Sequence, residues 1–334
     1  MNLVYDAQLI DQRLRRRLTL AELFALTLAI SLVGVFIWLQ SVAPYEPYFD
    51  FRNYLKTAQG DFSFYYYGYW LVPMFSLLAK LPTNLSYLLW CLVNILSVFF
   101  AARIFGGSAP LALLSYQLLY GLFQGQIVGI IVGGLALCWW GLTHRNWALA
   151  GAGIILASAK YQLGMTGSLF LVLMAQISWR DRLWVMIVPI VTVLISLLVY
   201  PGWPLQALQT LHDNPPWDAG SISLWRWLGP GALLVLLPPL WAAMPRENRF
   251  MALVAATGLA LPYFQQTDLL FLLVLPIGWL AVLGNLGFLF GRYGWVALQL
   301  LALLPLAVYI SSMGSAFRMA WRSTPASVET PERS

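Results

Sequence analysis

The stretch YFDFRNYLKTAQGDFSFYYYGYW, residues 48–70, sets Asp50, Arg52, Lys56 and Asp61 among closely spaced aromatic side chains. A carboxylate between Phe49 and Phe51 at an apolar boundary has its pKa raised by desolvation, which is what a proton acceptor working near neutrality needs. Other residues with chemical potential are scattered. They are Lys160 at the end of GIILASAKYQ, Arg226 between Trp225 and Trp227 in SLWRW, Gln124 and Gln126 in FQGQ, and Asp268 after QQT. Cations stabilise developing negative charge and amides bond hydroxyls. Each has an ordinary alternative: Asp50 as a helix cap, Lys160 snorkelling to headgroups, Arg226 as an interfacial anchor, the glutamines as caps, Asp268 complementing a helix dipole. Glu46 and Asp61 are solvated or paired with Arg52 and Lys56, and His212 stands alone in a polar loop. No His/Cys/Asp/Glu spacing suggests a metal, and no cofactor motif is present.

The elements that must hold these residues are apolar. Of 334 residues, 60% are hydrophobic and 10% charged, and the mean hydropathy is +0.73, a composition of an integral membrane protein rather than a soluble domain. Runs near the ~20 residues that span a bilayer recur along the chain without period-two alternation, which excludes a membrane β-barrel. The expected fold is therefore all-α, a polytopic transmembrane bundle with interfacial helices in its first outer loop. Cys91 and Cys138 lie inside apolar runs and behave as small hydrophobes. The net charge of +6 sits at the ends of apolar runs instead of on one face, so membrane topology explains it and nucleic acid is not an expected partner.

Arg13, Arg15, Arg16 and Arg17 precede the first span and place the N-terminus in the cytoplasm, with no cleavage site after them. Spans are expected near 21–42, 85–103, 109–123, 126–143, 146–162, 164–178, 183–200, 229–244, 250–265, 268–285 and 293–313, about eleven in all. YWLVPMFSLLAKLP, with Pro73 and Lys80, is short and aromatic. If it lies along the membrane, Arg103, Arg145, Arg180, Arg182, Arg246, Arg249 and Arg292 all fall inside. That reading gathers Glu46, Asp50, Asp61, the QGQ turn, Lys160, the 201–229 segment and Asp268 on the outer side. Residues 1–314 form one domain and 315–334 a polar, disordered tail.

An outer loop with FDF, an aromatic surface helix ending LLAKLP, QGQ opening a span and a lysine ending the next but one resemble the polytopic glycosyltransferases of the GT-C superfamily. The nearest likeness is to the family 87 polyprenyl-phosphate-mannose-dependent mannosyltransferases. NPPWDAGSISLWRWLG and PYFQQTDLLFLLVLP are similar to that family's later outer loop and final core helix. The chain departs from the family at Lys160-Tyr161, where Lys-Pro is common, and in lacking a Tyr-Pro-Pro in the surface helix. The resemblance implies an inverting transfer of a hexose, such as mannose, from a polyprenyl-phosphate donor to a lipid or glycan acceptor at the extracytoplasmic face of a bacterial plasma membrane. It further implies Asp50 as the catalytic base, with Lys160 and Arg226 on the donor phosphate and Gln124, Gln126, Asp268 and Trp225 lining the substrate. The rival reading is a non-catalytic membrane scaffold or a subunit of a larger complex. A transporter would want mid-membrane charge and a two-fold repeat, and neither is visible.

Overall fold

The computed structural model describes residues 3–43, 48–213, 221–290 and 299–323, and every regular element among them is helical. The amphipathic α1 (Leu3–Arg15) is followed by α2 (Leu20–Val42). A capping box starts α2: the Thr19 hydroxyl accepts from the Glu22 N–H at 3.2 Å while the Glu22 carboxylate accepts from the Thr19 N–H at 2.9 Å. At ~1.5 Å per residue, its 23 residues exceed the ~30 Å apolar core of a bilayer. Leu23, Phe24, Ile30 and Trp38 remain exposed, as a lipid-facing helix requires.

The short α3 (Phe49–Thr57) and α4 (Val72–Leu78) precede α5 (Thr83–Phe105), long enough to cross back. The ten helical residues Tyr69–Leu78 reach only ~15 Å, too little for a crossing. Next come α6 (Ala109–Leu113) and α7 (Tyr116–Gln124), which turn through 118° into α8 (Val128–Thr143). Then α9 (Trp147–Ala157), a π-helical turn at Tyr161–Met165, α10 (Thr166–Met174), α11 (Trp179–Val199) and α12 (Trp203–Asp213) follow. Beyond the gap in description lie α13 (Trp225–Leu228), α14 (Leu237–Trp241), α15 (Arg246–Ala260), α16 (Leu270–Leu273), α17 (Ala281–Gly284), α18 (Gly287–Phe290) and α19 (Leu303–Ser323), joined largely by 3-10 turns.

Among the described residues three helices are long and apolar enough to span a membrane (α2, α5 and α11), or four if the α6–α8 path counts as one span. About eleven continuous spans were expected. The apolar run at 268–285 breaks into Gln266–Leu273 and Gly278–Gly284 around Pro276, and the run at 146–162 stops as a helix at Ala157. Hydropathy records where the chain avoids water, not where a helix stays continuous. Backbone sheltered by protein can break without exposing polar groups to lipid.

Two polar layers close the ends of the bundle. At one end Arg103 on α5 reaches Glu22, His144 after α8 meets Asp11 of α1 at 3.0 Å, and α10 ends and α15 begins nearby. The other end gathers the start of α3, the end of α7, the break after α9 and the turn before α16.

Candidate active site

The site is built from three breaks in helical structure. The first is at Tyr48, whose backbone is left-handed (φ 66°), an uncommon state for an aromatic residue. Its N–H donates to the Phe123 carbonyl at 3.0 Å and its ring lies on Tyr87 at 3.5 Å between centroids, which fixes where α3 begins. Asp50 falls in the first turn of α3, yet the N-cap position is Tyr48 and carries no side-chain cap bond. The Asp50 carboxylate instead accepts a hydrogen bond from the Gln126 amide.

Gly125 permits that contact. It ends α7 at φ +76°, and a Cβ there would stand 2.5 Å from Phe51 Cβ, so only glycine lets α3 come this close. Trp90 donates from its indole to the Gly125 carbonyl at 2.9 Å and packs against Phe51 and Tyr54. An aromatic slab thus holds the helix that bears Asp50.

The second break brings in Lys160. Helices α8 and α9 touch through small residues: a Cβ on Gly134 would meet the Ala157 backbone nitrogen at 2.5 Å, and one on Gly153 would collide with that of Cys138. After Ala157 the backbone opens, Lys160 is extended (φ −109°, ψ 103°), and the π-helical turn begins. Such turns are enriched at functional sites. The buried Lys160 ammonium donates to both carboxylate oxygens of buried Asp268, at 2.7 and 2.8 Å, and stands 4.6 Å from the centre of the Tyr263 ring.

The third break supplies Asp268. It closes a capping box by accepting from the Gln265 N–H at 2.9 Å. The helix-start role considered for Asp268 is therefore present, and the same carboxylate neutralises Lys160.

Electrostatics join the breaks into one cluster. Burial pushes the Asp50 carboxyl up to about 6, against the pull of the Lys160 ammonium and the Gln126 amide. The Tyr54 hydroxyl donates to that of Tyr67 at 3.0 Å, and burial, with the Asp50 charge adding to it, holds both phenols well above their usual range. Both stay neutral. Gln126 Oε1 and Thr267 Oγ1 are buried with no hydrogen-bond partner among the described residues, and the two side chains flank Gly121. Unfilled capacity of this kind beside a carboxylate and a cation can accept ligand hydroxyls.

The other expected residues lie apart. No described hydrogen bond or ion pair joins half-buried Gln124, exposed Arg226 or half-buried Trp225 to the cluster. Two backbone bonds, Ile222 N–H to Phe264 O at 2.9 Å and Leu224 N–H to Leu259 O at 2.8 Å, tie the approach to Arg226 against the segment leading to Asp268. Asp61 is fully exposed, and its bonds from Ser63 hold its carboxyl below the usual range. His212 is exposed. Glu46, Asn214 and Asp218 lie outside the described residues. Among the described residues no three metal-ligating side chains gather. Tyr54, Tyr67 and Thr267 were not anticipated as site residues; in the sequence they are an aromatic among many and a threonine in an outer turn.

Fold and site together define a helical membrane protein with a carboxylate, an amide and a buried lysine converging at one polar end. The sequence profile of glycosyltransferase family 87 matches residues 65–274, more than half of the chain, and the chain belongs to that family: it is a membrane glycosyltransferase. Lys160, Gln124, Gln126, Arg226 and Asp268 fall within the matched region, and Asp50 precedes it. No curated protein and no solved structure matches the chain.

Proposed function

We propose that the protein transfers a hexose from a polyprenyl-phosphate donor to a hydroxyl of a lipid or glycan acceptor, with inversion, at the extracytoplasmic face. The observation that carries this reading is Asp50: a half-buried carboxyl raised to about 6, bonded to a neutral amide and within the electrostatic reach of a buried lysine. In the proposed step the acceptor O–H gives its proton to Asp50 as its oxygen bonds the anomeric carbon. The anomeric C–O bond breaks, and polyprenyl phosphate leaves with the electron pair. Lys160, oriented by Asp268 and Tyr263, faces the charge gained by the leaving phosphate. Arg226 binds the phosphate on the membrane side, with Trp225 against the sugar or lipid. Gln124, Gln126 and Thr267 take sugar hydroxyls.

The arginines support the orientation. Arg103 contacts the α1 end directly, Arg145 follows His144 with its bond to Asp11, and Arg246 lines a cavity with Asp6 and Arg13. The positive-inside rule favours the cytoplasmic side for that layer, which supports an outer position for Asp50. A thiol reagent applied from outside should label Gln59→Cys and spare Asn146→Cys; the reverse pattern overturns the orientation.

The donor is tested in proteoliposomes. Transfer from a polyprenyl-phosphate hexose and none from nucleotide sugars is expected, and turnover with a nucleotide sugar alone would refute the reading. The scaffold alternative draws on one observation, the mutual neutralisation of Lys160 and Asp268. It takes over if no donor and acceptor pair ever turns over.

A further inference from the structure

At the end of the bundle opposite Asp50, a cavity of about 190 Å³ opens between α1, the end of α5, α8, the end of α10 and the start of α15. Its lining includes the apolar side chains of Phe105, Trp139 and Met174, and Phe105 stacks on Phe250 at 5.9 Å between ring centroids. The same lining carries four charged groups of two signs: Asp6 and Arg13 from α1, Arg246 and Glu247 from α15. None of the four is joined to another by an ion pair within 4.0 Å among the described residues. This arrangement is unlike that of Arg103 and Glu22 in the same layer, which are closed on each other.

The charged groups offer two kinds of contact. Arg13 donates to the Ile104 carbonyl at 3.3 Å and keeps further N–H donors. Arg246 opens the first turn of α15, a 15-residue helix without a side-chain N-cap bond, so unpaired N–H groups and a positive dipole end lie beside it. Those features suit an anion. Asp6 is buried and exposed Glu247 lies beside it; burial first, and then the Glu247 charge, push the Asp6 carboxyl up against the weaker pull of Arg246 and Arg13, and a ligand ammonium would add to that pull. Apolar side chains and charges of both signs lining one cavity at a helix-end layer match an amphiphile. The volume, below the ~300–1,000 Å³ of drug-sized pockets, admits a headgroup rather than a whole lipid.

We propose that this cavity binds the headgroup of a zwitterionic aminophospholipid, its phosphate on Arg13 and Arg246 and its ammonium on Asp6 and Glu247. The site is remote from the Asp50 cluster and does not depend on the transfer reaction.

The test uses the full chain purified in phospholipid-free detergent, with melting followed by tryptophan fluorescence as short-chain lipids are added. Dihexanoyl phosphatidylethanolamine should raise the melting temperature by a few degrees at saturation, and the phosphatidylcholine and phosphatidylglycerol analogues should do so less. Loss of one charged contact weakens binding by roughly tenfold, so Arg246→Gln and Glu247→Gln should each shift the half-saturating concentration by that factor. Arg180→Gln, an exposed arginine that does not line the cavity, should leave it unchanged. If Arg246→Gln does not fold, Glu247→Gln still reads the ammonium arm from an exposed position. An equal response to phosphatidylglycerol or phosphatidylcholine overturns the aminophospholipid assignment. Soluble phosphoethanolamine acting at the same concentrations overturns the lipid source, and no response to any of them overturns the site.

Discussion

Two buried carboxylate–cation contacts stand at opposite ends of this bundle, and they are finished differently. Arg103 donates to both oxygens of Glu22, at 3.2 and 2.9 Å, to the Arg16 carbonyl at 2.9 Å, and at longer range to the carbonyls of Leu14 and Arg17. Glu22 also accepts from Arg16, at 2.8 Å, and from both polar groups of Thr19. The network joins α1, α2 and α5 and fills most of its own bonding capacity. The Lys160–Asp268 pair is equally buried, but around it Gln126 Oε1 and Thr267 Oγ1 lack partners among the described residues and Asp50 carries a raised carboxyl. A satisfied buried network acts as a fastener, whereas one left partly unsatisfied is where a ligand can complete the bonding.

The largest test of that difference is Asp50→Asn, which should lower turnover in reconstituted vesicles by ~10² to 10⁴ while the melting temperature does not fall. Near-normal turnover would remove Asp50 as the base. Next comes the contrast between the two pairs. Removing one partner of a buried pair costs about 3–5 kcal/mol, so Arg103→Met and Lys160→Met should destabilise alike in thermal melts. The double variant Lys160→Met/Asp268→Leu should recover most of the stability, since apolar replacement of both partners is often neutral or better, yet stay inactive. Should it regain activity, the Lys160 pair is a fastener as well and the contrast collapses.

A smaller effect is expected at Gly125→Ala. The residue combines φ +76° with contact against Phe51, so the substitution should cost more than ~1 kcal/mol and pull α3 from Gln126, raising KM together with lowering kcat.

The pH dependence sharpens the role of Asp50. Its folded carboxyl is raised from about 4 to about 6, so between those values the folded state binds more protons than the unfolded one. That contribution to stability is therefore present at low pH and is lost as pH rises to about 6, while the base form needed for transfer grows over the same window. Melts of the wild type should fall relative to those of Asp50→Asn as turnover climbs. Asp61→Asn, at a fully exposed acid, should leave both the melting temperature and turnover unchanged.

The amino-acid sequence alone determined the membrane character, the helical class and the family resemblance, because each rests on apolar runs and short motifs legible in linear order. It also pointed to Asp50, Gln126, Lys160 and Asp268, since polar residues at the ends of apolar runs are few. The tertiary structure decided which of them meet. Asp50 and Gln126 are 76 positions apart and Lys160 and Asp268 are 108 apart, and nothing in linear spacing distinguishes a snorkelling lysine from one closed on a buried carboxylate. Arg226, which carried equal promise in sequence, is exposed on the short α13. The broken helices were hidden for a related reason. Hydropathy responds to the transfer of side chains out of water, whereas the breaks at Tyr48, Gly125 and Lys160 depend on which backbones come close enough to satisfy one another, a property of the packed chain.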